Sequence, residues 1–257
     1  MGLSYEERGR VAYVRLARPE KRNALTGAML ERVGEIFAGL AARRDLRAVI
    51  LGGEGRDFCA GTDISELAEL GDADAHSLAV RGQEVCERIE TCGTPVIVAI
   101  QGAAAGGGCE LALACHLRVV ARGARFSLPE TTLGVIPAYG GTQRLARAAG
   151  TARALAAMLA GESIGADEAL RLGLVNRVVE EESLAAEAES LARSIIDTAA
   201  PLAARACLEA VTRGTRMPLE DGLKLEAELF ARLFSTEDVR EGTRAFLEKR
   251  KPDFEGK

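Results

Sequence analysis

The chain has 257 residues, 47% of them apolar and 28% charged, with 28 glycines, 7 prolines and 4% aromatic residues, none of them Trp. Such a chain buries enough apolar surface to fold without staples, which excludes an intrinsically disordered protein. Its 33 Lys and Arg against 38 Asp and Glu leave a net charge of −5, and the basic residues are scattered, so nucleic acid is not an expected partner.

The opening residues, MGLSYEERGR, are charged where a secretory leader needs an apolar run, and the protein is expected in the cytoplasm. Residues 11–17 (VAYVRLA) alternate with period two, as a half-exposed strand near a sheet edge does. Thr26 is a candidate N-cap for a helix to about Arg44, because Met29, Leu30, Val33, Ile36, Phe37 and Leu40 recur at three- and four-residue spacing. Residues 47–51 (RAVIL) read as the next strand, followed by a glycine-rich loop over 52–61. A helix over about 74–92 leads to the stretch 95–115, PVIVAIQGAAAGGGCELALAC, which is long enough to span a bilayer. Its glycines at 102, 106, 107 and 108, the acid at 110 and the lack of basic flanks make it instead a buried strand, a glycine turn and a buried helix, so no membrane partner is expected.

Residues 117–121 and 175–179 read as further strands, and from about Glu181 the pattern is helical to the end. Strands alternating with helices define an α/β class with parallel pairing. The helix over 218–234 carries Leu219, Leu223, Leu225, Leu229, Phe230, Leu233 and Phe234, more apolar surface than one narrow face holds. It must pack on the protein's own core or on a neighbouring subunit. The six cysteines (59, 86, 92, 109, 115 and 207) form no C-x-x-C pair and read as reduced, mostly buried thiols. With only His76 and His116 available, no metal is expected.

Candidate chemistry begins at Ala104–Glu110. A strand, a turn of small residues and a helix starting near Gly107 leave the first helical amides without partners, and these can bind an anion or a developing oxyanion. Taken alone, the glycines are better explained by tight strand–helix packing. Glu110 shifts the balance, because it opens a helix that is apolar all round, and a buried carboxylate is a candidate for a raised pKa and proton transfer. A second acid, Glu130, lies in FSLPETTLG, and the loop 58–64 (FCAGTDI) offers a further free amide through Ala60 and Gly61.

In this order and spacing, the motifs RPEKRNAL (18–25), FCAGTDISEL (58–67), VAIQGAAAGGGCELALAC (98–115), FSLPETTLGVIPAYGGTQRL (126–145), ADEALRLGLVN (166–176) and EGTRAFLEKRKPDF (241–254) resemble the enoyl-CoA hydratase/isomerase, or crotonase, superfamily, and most closely its hydratases. The spacing of 20 positions from Glu110 to Glu130 fits as well. The resemblance implies an α/β spiral of ββα repeats over residues 1–198 that holds an acyl-CoA site. It also implies an α-helical oligomerisation region over 199–257 that joins a homotrimer or a homohexamer made of two trimers. Coenzyme A enters as part of the substrate, and no other cofactor is implied.

Carried over by position, the oxyanion hole is the pair of N–H groups of Ala60 and Gly107. Glu110 activates water, and Glu130 gives a proton to the α-carbon of a 2-enoyl-CoA on the way to 3-hydroxyacyl-CoA. Ala60, Gly61, Thr62, Asp63, Ile64, Gly107, Ala138 and Tyr139 are the expected substrate contacts. An isomerase needs only one acid, so the presence of both favours hydration; hydrolases and hydratases of cyclic or aromatic acyl-CoA share the oxyanion hole. Four positions depart from a common hydratase: Ser65 replaces a Lys, Ala138 a Gly, Tyr139 a small residue, and His116 an Asp. His116 is read as structural. No G-x-S-x-G occurs for a serine hydrolase, and the acidic charge argues against an RNA-binding relative.

Overall fold

The computed structural model describes residues 2–257. The charged opening segment is strand β1 (Leu3–Arg8), which forms an antiparallel hairpin with β2 (Val11–Leu16). β2 is therefore the second strand of the sheet, near its edge as expected, but buried on both faces rather than half-exposed. Ala12, Val14 and Leu16 enter the main core, while Val11 and Tyr13 enter a second core on the opposite face. Helix α1 (Gly27–Ala42) starts where Thr26 Oγ1 accepts from the N–H of Met29 at 3.2 Å, and it buries Met29, Leu30, Val33, Phe37 and Leu40. Loss of such a cap typically costs about 1 kcal/mol.

The rest of the chain turns in repeated units of two strands and a helix. β3 (Ala48–Gly53) precedes a loop through Cys59 to the short α2 (Ile64–Leu67) and the long α3 (Asp72–Glu90). β4 (Val96–Ile100) and β5 (Ala103–Ala105) precede α4 (Gly107–Ala114), and β6 (Leu117–Ala121) and β7 (Arg125–Ser127) precede α5 (Gly141–Ala149) and α6 (Thr151–Leu159). β8 (Ile164–Gly165), α7 (Ala166–Arg171) and β9 (Arg177–Val179) complete the series. β3, β4, β6 and β9 extend the opening hairpin into a six-stranded sheet, β1-β2-β3-β4-β6-β9, parallel after that hairpin. β5, β7 and β8 form a small sheet, β5-β7-β8, which Cys59 extends by bridging to Ala104. The chain between the two sheets thus turns sharply in every unit, and the functional segments lie at those turns.

Helix α8 (Leu184–Thr198) lays Leu184, Ala188 and Ala192 over the second face of the large sheet, where Tyr13 donates from its hydroxyl to Glu189 at 3.3 Å. Three helices follow: α9 (Pro201–Gly214), α10 (Leu219–Leu233) and α11 (Glu237–Leu247). α9 and α10 pack closely where Gly222 approaches Gly214. Of α10 only Leu229 is buried, and Leu219, Leu223 and Phe230, with Phe234 just beyond it, are exposed. Their own core does not cover them. Among the described residues no helix is long and apolar enough to cross a membrane, and residues 95–115 form β4, β5 and α4.

Candidate active site

The site is built around the start of α4. Gly106 takes φ +50°, a conformation that L side chains rarely adopt, and turns the chain from β5 into the helix. Gly108 packs so tightly on Cys59 that a Cβ would overlap it. Close packing accounts for Gly107 as well, where a Cβ would press on the Tyr139 ring and face Thr62 Oγ1. At the other end, the buried Arg118 donates to the carbonyl oxygens of Cys115 at 2.6 Å and Ala112 at 3.3 Å, which suits a cation at a helix C-terminus.

Glu110, in the first turn of α4, is only 2% exposed. One oxygen, Oε1, accepts from the N–H of Tyr139 at 2.8 Å and of Gly141 at 2.6 Å. These two donors aim the second carboxyl oxygen. Glu130 opens a single turn of 3-10 helix, and its Oε1 lies beside Gly106. Its Oε2 is buried and has no hydrogen-bond partner among the described residues. Such an orphan costs about 1–3 kcal/mol, and native folds keep few of them without a use.

The second amide is displaced from its expected position. The N–H of Ala60 donates to the carbonyl oxygen of Arg22 at 2.9 Å, so it is spent inside the protein and is not available to a ligand. Gly61, at φ +101°, then reverses the chain against Ala105, and the next amide, that of Thr62, finds no acceptor among the described residues. The amide of Gly107 has none either. Thr62 and Gly107, whose residues face each other, therefore offer a pair of free amides. The sequence signal for Thr62 was Gly61 itself, since a left-handed residue turns the peptide that follows it.

Ala60, Gly61, Thr62, Ile64, Gly107, Ala138 and Tyr139 line one cleft with Glu110 and Glu130. Asp63 is not among the lining residues. It caps α2 by accepting from Ser65, and it pairs with Arg18 at 2.6 Å, so its expected role as a substrate contact is corrected to a structural one. The Tyr139 hydroxyl is 3.0 Å from Thr62 Oγ1, and its ring occupies space left by Gly82 of α3. A bulky residue fits here because a helix opposite lacks a side chain. Leu78, Leu133, Val135 and Ile136, which sequence reasoning missed, supply the apolar wall. His116 lies outside the cleft, with its Nδ1 accepting from Val96 N–H at 2.9 Å and its Nε2 3.0 Å from the carbonyl oxygen of Glu90.

The family model described as Enoyl-CoA hydratase/isomerase matches residues 6–257. The chain is 40% identical to a short-chain-enoyl-CoA hydratase of Clostridium acetobutylicum over 96% of its own length and 94% of that protein's. It is 38% identical to a crotonyl-CoA hydratase of Syntrophomonas wolfei, covering 98% and 96%. Its fold superposes on a crystal structure of an enoyl-CoA hydratase from Bacillus anthracis with TM-score 0.95 and 37% identity, covering 100% of both chains. The chain belongs to the enoyl-CoA hydratase/isomerase family.

In this family member the two acids sit in unusual electrostatic surroundings. Burial pushes the Glu110 carboxyl from its ordinary 4.5 up to about 7 and the Glu130 charge adds to the rise, while the Gly141 and Tyr139 amides and Arg144 oppose it. Burial also raises Glu130. A carboxyl raised on folding stabilises the fold fully below its unfolded pKa and loses that contribution as pH climbs through its folded value. Between pH 4.5 and 7 the ionisation of Glu110 should therefore cost about 3 kcal/mol of stability. We expect Glu110→Gln, which cannot ionise, to melt above the wild type at pH 8 and level with it at pH 4.5. Melting curves across that range check this, and parallel curves would contradict it.

Proposed function

We propose that the protein adds water across the double bond of a 2-enoyl-CoA thioester to give a 3-hydroxyacyl-CoA. The observation that carries this reading is one apolar cleft in which a buried carboxyl, Glu110, and a half-buried one, Glu130, meet two unpaired main-chain amides. Glu110, ionised, takes a proton from water while the water oxygen bonds to the β-carbon. The electron pair of the double bond moves onto the thioester oxygen, where the Thr62 and Gly107 amides receive the charge. In the reactive form of the coupled pair the single proton sits on Glu130, which delivers it to the α-carbon as the carbonyl re-forms. Exchange with solvent then returns the proton of Glu110 to water and restores that of Glu130.

The names of the Clostridium and Syntrophomonas relatives support a short enoyl chain, and crotonyl-CoA is the substrate to test. Loss of the enoyl-thioester absorbance with appearance of 3-hydroxybutyryl-CoA is the expected result. An inert wild type on short and long 2-enoyl-CoAs would sink the hydratase reading and turn attention to Ala138 and Tyr139 as marks of another acyl-CoA reaction. An isomerase reading leaves one of the two acids without work.

The helical region from α9 onward we assign to self-assembly as a homotrimer or a pair of trimers. Leu219, Leu223, Phe230, Phe234, Phe246 and Leu247 are exposed, and the rings of Phe230 and Phe234 pack edge to face at 5.1 Å. Exposed apolar surface of this density marks an interface. Phe230→Glu should shift the mass measured by light scattering from oligomer toward monomer. An unchanged mass would remove this face from the contact.

A further inference from the structure

The two amides that hold Glu110 come from residues 139 and 141, and the peptide between them is held from outside the cleft. Arg144 Nη1, one turn into α5, donates to the carbonyl oxygen of Tyr139 at 3.0 Å. Its Nε and Nη2 donate to Glu90 Oε2 at 3.1 and 2.8 Å. The main chain of Glu90, the last residue of α3, is pinned in turn by His116, whose Nε2 hydrogen donates to its carbonyl. From the C-terminal helices, Arg216 reaches the same carboxylate oxygen at 2.5 Å. Gln83, also on α3, donates to the carbonyl oxygen of Ala138 at 2.9 Å. Neither Arg144 nor Glu90 lines the cleft, and both side chains are only 19% exposed. This ion pair is shielded from solvent, unlike most surface pairs, and sits where its geometry matters.

We infer that the Arg144–Glu90 pair is a positioning device that sets the catalytic carboxyl of Glu110 by fixing the 139–141 turn, and that Arg216 ties that turn to the C-terminal helices. The inference rests on the role assigned to Glu110 above. An arginine is needed because one group must meet a carboxylate with two donors and a carbonyl with a third. A lysine keeps the charge and loses the fork. A glycine at 140, φ +105°, is needed because a Cβ there would strike the Arg144 guanidinium.

Arg144→Lys separates positioning from charge. The charged and titratable groups that face Glu110 are Glu130, Arg144, Tyr139, Cys86 and Cys109, and only the grip of Arg144 changes in this variant. We expect kcat for crotonyl-CoA to fall between about ten- and a hundredfold, with KM within about twofold. The Glu110 carboxyl, followed by 13C NMR, should titrate higher as its amides loosen. Glu90→Gln, which leaves Arg144 in place but unheld, should lower kcat in the same range and serves if the lysine variant does not fold. A normal kcat and an unmoved Glu110 titration in folded variants would overturn the inference, even if melting temperature falls. If the wild type does not hydrate crotonyl-CoA, the hydratase reading fails first, and the NMR titration still decides whether Arg144 positions Glu110.

Discussion

Glu110→Gln should lower kcat for hydration of crotonyl-CoA between about a hundred- and ten-thousandfold, the span of a lost general base. The fold should persist, because the amide oxygen of the new side chain can accept from the same two N–H groups, those of Tyr139 and Gly141. KM should change little, since the carboxyl touches water and the acyl carbons rather than the bulk of the thioester. In the wild type kcat/KM should fall as pH drops below about 7, where Glu110 takes up a proton in the free enzyme. A variant that turns over within tenfold of the wild type would mean that another group activates the water.

Glu130→Gln should cost a comparable factor, but through the other proton. The orphaned Oε2 of Glu130 has no protein partner to lose, so the substitution should leave melting temperature within a few degrees. The two acids can be told apart on a saturated thioester. Exchange of the α-hydrogens of butyryl-CoA with D2O needs a proton carrier at the α-carbon and the two amides, but no attacking water. Glu110→Gln should retain such exchange, and Glu130→Gln should abolish it. If both variants exchange equally, the assignment of separate roles fails. The double variant should be scarcely slower than the worse single one, because both groups act on one addition.

The residues that were legible in the sequence are those whose type conflicts with their surroundings. A carboxylate opening an all-apolar helix and another beside a proline stand out without a structure, and Glu110 and Glu130 do face one cleft. The strand β1 did not stand out, because it pairs on one side only and its side chains lie mostly in solvent, so LSYEER carries no apolar stripe. The orientation of a peptide plane was equally hidden. Ala60 and Thr62 sit in the same loop, and only the left-handed turn at Gly61 decides which amide faces inward. The Glu90–Arg144 pair joins residues 54 positions apart, a relation set by how α3 and α5 pack and by no local pattern. The exposed face of α10 was visible as an excess of leucine and phenylalanine, but its lack of cover emerged only from the packing of α9 against it.

The free amides of Thr62 and Gly107 also govern how this protein responds to genetic change. Every codon specifies a peptide N–H except that for proline, so a conservative substitution at position 62, such as Thr62→Ser, leaves in place the very atom to which we assign the developing charge. The vulnerable codon is its neighbour, Gly61, where any side chain would both oppose φ +101° and press on the backbone of Ala105. A mutational map of this loop should therefore show its intolerance one residue away from its chemistry, and only an amide-to-ester replacement at 62 would reveal where the work is done.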